Sequence, residues 1–460
     1  VLLPHDPGYD QARLLLNRTY DPRPAVVVCC ATEADVALTI RFACDQDLPL
    51  AIRSGGCSPA GYSAVTGGVL LDLGRLDQIA IDSGGMTVEV GPGARMGALY
   101  KALSPTNLMV PLGECMQVGA GGLALGGGFS LLSRSLGLTC DNLLEARVVL
   151  ADGSGVTASP TEHPHLFWAL RGAGGGNFGV VTSLRFRLHQ LEPTLYAGMV
   201  IWPLDQAAEV LTASLEYFAS DAPPELNAVF MLSPLPPPST EKAFATVAVY
   251  NGPASVGATI VPKVTGLGKP MHSSTGVQPF ATLVQRDFPS LSGIHDYYKS
   301  GFVTGALPAE GARLLVDHFA ETPPAGPSSA TEAAPSNGIG FELAGGAINA
   351  VPEDATAFVH RSHSALISFL ATWHGPRGST DCAEVRWADA LHREMQPYFS
   401  GGVYQNYPDR SLPEPLAAYY GTNLPRLKEV KARYDPEEVF RFPQGIPAGG
   451  HRIAGPSESA

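Results

Sequence analysis

The stretch AIRSGGCSPAGYS (51–63) places a thiol directly after two adjacent glycines. A β-like run leads in, the glycines break it, and Cys57 follows where the backbone can come close to a ligand. A thiolate is a competent nucleophile once an electropositive neighbour lowers its pKa, and Arg53 with the loop's N–H groups is the candidate neighbour. Glycines crowd two further stretches, 113–128 and 172–179, where helix or strand interiors tolerate them poorly. Clustered glycines let N–H groups approach an anion such as a pyrophosphate; tight turns in a β-rich protein are the alternative. Gly119-Ala120-Gly121-Gly122-Leu123-Ala124 fits G-x-G-x-x-A, with Asp141 about twenty residues on. It follows LMVPLGECMQV, whose Pro and Gly stand where a doubly wound domain needs a buried strand, so that architecture is not expected.

Other chemistries find less support. There is no G-x-S-x-G elbow to offer a hydrolase nucleophile. His163 with His165, and His360 with His363, have no Cys/Asp/Glu cluster beside them and read as solvated or structural histidines. The seven cysteines are an odd number without a C-x-x-C pair, so neither a disulfide framework nor a zinc site is expected. Asn17-Arg18-Thr19 is a glycosylation sequon or a solvated loop.

The elements that would hold these residues change character along the chain. Up to about 190, apolar β-like runs (AVVVCC, LPLAIR, GGVLLDL, MTVEVG, EARVVLADG, VVTSLRFRL) alternate with short helical patterns, an α+β texture. The helix at 32–47 is well signalled: Thr32 can cap it, Glu33 and Asp35 sit in its first turn, and 36, 37, 40, 43 and 44 form one apolar face. Beyond 190 come longer helices and alternating strands, with two breaker-rich loops at 233–242 and 321–338. FELAGGAINAV and TAFVHR read as neighbouring strands, and SHSALISFLATW has mixed spacing. In the tail a basic helix stops at Asp435-Pro436 before an aromatic anchor.

Length favours two packed units, and no apolar run is long enough for a membrane span. The net charge of −13 would repel phosphate backbones, which argues against nucleic acid as a partner. Localisation stays open: cytoplasmic in a bacterium, secreted if a signal has been removed.

Taken together, RSGGCSPAGYS, PLGECMQVGAGGLALGGGFSLLSRSLGLTCDNL, VVLADG, HPHLFWALRGAGGGNFGVVTSLRF, GGVYQNYPD and YYGTNLPRLKEVKARYDPEEVFRFPQGIP resemble the berberine-bridge-enzyme-like branch of the vanillyl-alcohol-oxidase flavoproteins. The resemblance implies an α+β fold: a two-subdomain PCMH-type FAD-binding domain from 1–190, a substrate domain at 191–400 with an antiparallel sheet covered by helices, and a berberine-bridge-like segment at 401–450 returning to the FAD domain. Carried over by position, Arg53, Ser54, Gly55, Gly56 and Ser58 line the pyrophosphate side. Gly113, Val118, Gly119, Gly121, Gly122 and Gly126 follow the ribityl chain and ring, with Asp141 nearby, and Gly176, Asn177, Phe178 and Val180 complete the adenine side.

The family commonly attaches FAD through a His and a Cys. Cys115 matches the Cys that bonds ring position six, whereas Cys57 stands at the His position. An 8α-thioether at Cys57, an inert buried thiol, and an introduced replacement of His remain open. Tyr407 matches the family position that reaches the substrate, with Tyr404 beside it; Asn406 and Gln405 would orient that strand, and Tyr62 is a second hydrogen-bond donor. Proton removal by Tyr407 with hydride transfer to flavin N5 is the implied mechanism. Phe129 and Leu123 stand where some relatives have Tyr and His, and Val118, three residues after Cys115, fits oxygen access. The expected function is an oxidase that dehydrogenates a hydroxyl, hemiacetal or amine of a sugar or secondary metabolite and returns electrons to O2 as H2O2. An Ala/Gly/Pro-rich, Lys-poor composition adds a natural-product, antibiotic-type setting. A flavin-retaining cyclase without net oxidation and a flavin-binding protein without turnover are the alternatives.

Overall fold

Short, mostly apolar runs near the N-terminus form a sheet with apolar residues buried on both faces. Val26–Cys29, Val69–Asp72 and Leu50–Arg53 pair in parallel, with Val69–Asp72 in the centre. The helix Glu33–Asp45 covers this sheet. Its start is fixed reciprocally: Thr32 Oγ1 accepts from the Asp35 N–H at 3.1 Å, and Asp35 Oδ2 accepts from the Thr32 N–H at 2.9 Å. Val36, Ala37, Ile40 and Ala43 are buried, but Cys44, expected on the same face, is exposed; it lies on the rim of the stripe in the last turn. The computed structural model describes residues 1–235, 239, 241–284, 294–323, 337–374 and 380–449.

A second, antiparallel sheet follows in the order Ile79–Asp82, Thr87–Val90, Val180–Arg187, Leu143–Val149, Gly155–Ala158. Between its strands the chain makes the second and third glycine loops, 113–128 and 172–179, whereas the Cys57 loop connects two strands of the parallel sheet. The stretch 113–128, whose glycines argue against a helix, contains the short helix Ala120–Leu125. It packs tightly because Gly121 brings no side chain against Pro92.

The remaining large sheet is antiparallel throughout, in the order His272–Ser273, Leu195–Pro203, Lys242–Tyr250, Leu226–Pro234, Gly338–Leu343, Ala365–Trp373, His295–Val303, with Gly276–Gln278 also pairing Leu195–Pro203. One face carries Trp202, Phe230, Phe244, Phe341 and Phe369, all fully buried in one cluster with residues of helices Ala207–Ser220, Ala309–Ala320 and Ala383–Met395. Each such side chain contributes about 1.5–3 kcal/mol on burial.

Several sequence readings change here. Strands extend into the breaker-rich segment as far as Pro234 and from Lys242, since prolines and serines at strand ends leave the ladder intact; 236–238 and 240 lie outside the described residues. Most of the second such segment, 324–336, also lies outside them. FELAGGAINAV is a strand to Leu343 and then a helical turn at Ala347–Ala350, broken by Gly345 and Gly346 at positive φ. TAFVHR is not a strand but an irregular segment, anchored by the buried Arg361, whose guanidinium grips Asp141 and the Phe358 carbonyl. SHSALISFLATW contains the strand Ala365–Trp373; its spacing is mixed because alternate residues face two apolar environments.

The C-terminal helix Leu424–Tyr434 stops before Asp435, as its sequence predicts. Lys431 then ties the tail to the third glycine loop: its buried Nζ donates to Asn177 O (2.7 Å), Asp435 Oδ2 (2.6 Å) and Phe440 O (2.6 Å). A buried ammonium satisfied this completely fixes where the chain returns.

Candidate active site

The glycine loops and the uncovered face of the large sheet enclose one continuous cavity of about 1230 Å3. At its loop end two backbones touch. A Cβ on Gly55 would lie 2.4 Å from Gly119 N, so the loops meet only as glycine against glycine. Arg95 holds the junction, its Nη1 donating to Gly55 O at 2.6 Å and to Gln117 O at 2.5 Å.

Cys57 sits in this junction as a donor. Its Sγ lies 3.4 Å from Gly55 O and 3.5 Å from Gln117 O, and 3.9 Å from Arg95 Nη1. Burial pushes the thiol up to about 11, outweighing the opposing pull of Arg95. Arg53, expected to activate it, points elsewhere. Its Nε pairs with Asp72 Oδ2 at 2.5 Å, and its terminal nitrogens bond the carbonyls of Ala12 and Leu14.

Of the sequence-predicted site residues, the cavity wall contains Ser54, Gly55, Gly56, Cys57, Ser58, Tyr62, Gly113, Cys115, Val118, Gly119, Gly121, Gly122, Gly176, Asn177, Tyr404, Asn406 and Tyr407. Five others stand behind it. Besides Arg53, Asp141 pairs with Arg361 (2.6 and 2.8 Å) and accepts from the Leu138 N–H. Phe178 and Val180 belong to the apolar core. Gly126 faces the Asn406 side chain, leaving no room for a Cβ. Asn177 lines the cavity with its amide already spent on Ala173 O (3.0 Å) and the Ile446 N–H (3.0 Å). Tyr62 is fixed at the wall by Phe442 (5.4 Å) and the Arg410 guanidinium (5.4 Å).

The YQNY segment is a turn, not the strand expected. Gln405 Nε2 donates to the carbonyls of Gly126 and Gly172, and Asn406 Nδ2 donates to Leu123 O (3.0 Å) and Tyr404 OH (2.9 Å). These bonds set the turn on the glycine loops. Tyr404 OH also accepts from the Gly128 N–H at 2.8 Å, and its ring meets Tyr407 edge-on at 5.1 Å. Tyr404 is therefore the buttress. Tyr407 is the ring it presents, stacked on its other side against Tyr298 at 5.3 Å.

Tyr407 OH donates to Glu342 Oε1 at 2.8 Å. Burial pushes the Glu342 carboxyl up to about 7, the Tyr407 bond opposing, and its Oε2 is buried without a partner. Tyr407 itself is raised well above 10, by burial and by the neighbouring acid. Two more acids line the cavity: burial pushes Glu114 up to about 8, reinforced by Glu342, and Asp296 up to about 8. Asp296 Oδ1 is also unpartnered, while Asn17 bonds both its backbone groups and Pro59 O. Asn17 is thus a buried clamp between the Cys57 loop and the sheet, neither a solvated loop residue nor an accessible sequon.

Sequence reading missed Glu342, Glu114, Asp296, Tyr298 and Arg95. Glu342 had a faint signal, an acid alternating with Phe341 and Leu343 in a strand; the others had none without the partners the fold brings to them. The histidine pairs separate into structural roles. His163 caps a helix beside Tyr434 (3.3 Å), and His360 stacks on Phe302 at 4.2 Å. Among the described residues no group of metal-ligating side chains occurs, all seven cysteines are unpaired, and no helix is long and apolar enough to cross a membrane.

The cavity fits an elongated dinucleotide cofactor. At the loop end, Gly122 and Gly174 have nothing within 4 Å of a would-be Cβ, which leaves open space beside the backbone for a phosphate; at the sheet end, Glu342 Oε2 and Asp296 Oδ1 are buried without a partner. Comparison with known proteins agrees. A family described as "FAD binding domain" matches residues 24–159, and one described as "Berberine and berberine like" matches 403–447. The chain is 31% identical to (R)-6-hydroxynicotine oxidase of Paenarthrobacter nicotinovorans, over 98% of this chain and 97% of that protein. It is 30% identical to xylooligosaccharide oxidase of Thermothelomyces thermophilus, over 92% and 87%. The solved structure of Physcomitrella patens BBE-like 1 superposes with a TM-score of 0.86 at 27% identity, covering 98% and 97% of the two chains.

The fold and site thus define an FAD-linked oxidoreductase of mixed helix and antiparallel sheet. Within that class, the chain belongs to the berberine-bridge-enzyme-like family.

Proposed function

We propose that the protein is an FAD-dependent oxidase that dehydrogenates a hydroxyl, hemiacetal or amine carried by a sugar or secondary metabolite. The observation that carries this reading is the Tyr407–Glu342 pair at 2.8 Å, where the sheet meets the glycine loops. Bound FAD supplies the hydride acceptor, and dioxygen its return to the oxidised form with release of H2O2. Dehydrogenation also needs a place for the substrate's O–H or N–H proton. A phenol held well above 10 is a poor final acceptor, so Tyr407 relays: it takes the substrate proton as its own passes to Glu342 Oε1. A carboxyl near 7 is matched to accept at neutral pH. Tyr404, Gln405 and Asn406 hold the relay in place.

In this reading FAD is attached through Cys115 at ring position six, and Cys57 stays a neutral thiol. The two carbonyl acceptors and the raised pKa of Cys57 support the second half, since both disfavour the thiolate an 8α bond requires. The reading divides the chain into an FAD unit of 1–190 with 401–450 and a substrate unit of 191–400. Sheet membership supports this, the smaller sheets ending at Gln190 and the large one starting at Leu195.

The test is anaerobic mixing of the purified yellow protein with a panel of oligosaccharides, secondary amines and polycyclic alcohols, followed by aeration with peroxide detection. Bleaching of the flavin and stoichiometric peroxide are expected with at least one class. A flavin that no member bleaches refutes the proposal.

A further inference from the structure

In an antiparallel sheet with one face on the core, the opposite face ordinarily alternates to polar residues. Here three adjacent strands break that rule. Leu195–Pro203, Lys242–Tyr250 and Leu226–Pro234 bury Val200, Trp202, Phe244, Ala248, Phe230 and Leu232 on the helix side. Toward the cavity they present Met199, Ile201, Ala245, Val247, Val229 and Met231, of which Val229 and Val247 also pack at their edge against the core beneath the glycine loops.

Register orders these six residues relative to the proton relay. Val229 pairs with Glu342, Val247 with Val229, and Met199 with Val247, one row in line with the reactive acid. The parallel row runs Ile201, Ala245, Met231, Gly340, Ser368. With strands about 4.8 Å apart, the aliphatic row reaches roughly 14 Å from Glu342, and two rows span about 7 Å along the strands. Gly340, paired with Met231, adds no side chain to this row beside Glu342.

We infer that the substrate is a molecule with a flat or elongated apolar body, about three fused rings in size, whose oxidisable hydroxyl or amine sits at one end beside Glu342. This rests on the oxidase reading and narrows it. A free oligosaccharide presents hydroxyl groups around every ring; against six aliphatic side chains these would lose water without gaining partners. A fused-ring body loses nothing there, and covering the floor returns its apolar surface from water.

The test uses 9-anthracenemethanol, benzyl alcohol and cellobiose with the intact flavin-loaded protein under anaerobic conditions. Binding is read by equilibrium dialysis, and flavin reduction in parallel by absorbance. The anthracene alcohol is expected to bind more than about tenfold tighter than benzyl alcohol, with no saturable binding of cellobiose. Val247→Thr, nearly isosteric, and Met199→Gln, on a different strand, should each weaken anthracenemethanol binding roughly tenfold while the flavin spectrum stays unchanged. Equal binding of the two alcohols, saturable binding of cellobiose at comparable affinity, or unaltered binding in both variants overturns the inference. Reduction is scored separately: size-selective binding without bleaching supports the apolar floor while counting against the oxidase reading, and bleaching without size selection does the reverse.

Discussion

Replacing Glu342 by Gln removes the proton acceptor and keeps the shape of the side chain. With the wild type, the carboxyl must be ionised to accept, so the rate of flavin reduction by substrate should rise with pH, reach half its maximum near pH 7 and then level off. In Glu342→Gln that limb should vanish and the plateau rate should fall by about 10²–10⁴-fold, the usual contribution of a positioned base. A second consequence concerns stability. A carboxyl raised from 4.5 in the unfolded chain to about 7 in the fold is unpenalised below pH 4.5, where both states are protonated. The penalty accumulates as pH rises through that window and is complete above it, at about 3 kcal/mol. Glu342→Gln should therefore match the wild type in denaturant near pH 4.5 and exceed it by up to that amount at pH 8. Stopped-flow absorbance gives the first readout and urea unfolding of the loaded protein the second. A variant that keeps both its rate within a factor of three and its ionisation limb refutes the relay.

Three further outcomes follow from the same geometry. Tyr407→Phe removes the donor that favours the ionised form of Glu342, so the half-maximal pH should move upward and the plateau fall about 10²-fold in the same assay. Cys115→Ser should release its flavin on acid denaturation while Cys57→Ser retains it, checked by intact mass; the opposite pattern would exchange the roles of the two thiols. Gly55→Ala forces a Cβ against Gly119 N, and the separation of the loops should cost about 1–3 kcal/mol in unfolding free energy and weaken flavin retention, seen by denaturant melts and flavin fluorescence.

Much of the fold could be read before the structure was seen because its signals are local. Thr32 and Asp35 cap each other within four residues, Asp435-Pro436 stops a helix by backbone chemistry, and the apolar runs AVVVCC, LPLAIR and GGVLLDL each contain a strand. Failures came where local preference was overridden. Gly121 sits in a helix because Pro92 and Ser54 approach too closely for a side chain, while Gly122 beside it faces open space in the cavity. TAFVHR has strand residues, yet Arg361 within it is committed to Asp141, far away in sequence, and that pair decides the conformation.

The site divides along the same line. The glycine loops, Cys115 and Tyr407 are short motifs, so resemblance located them, and all line the cavity. What makes Tyr407 useful is not in its motif. Its proton partner Glu342 comes from a strand 65 residues earlier, and Tyr298, stacked on it, from another. The same is true of Cys57. The local sequence offered Arg53 as its activator, but Asp72 claims that guanidinium, and the cation that does reach the thiol, Arg95, arrives from the start of a helix beyond the next three strands. A motif thus fixes which group is present, while the fold fixes its protonation. For the proposed chemistry, the removal of a proton and a hydride, the second is what decides whether the first can act.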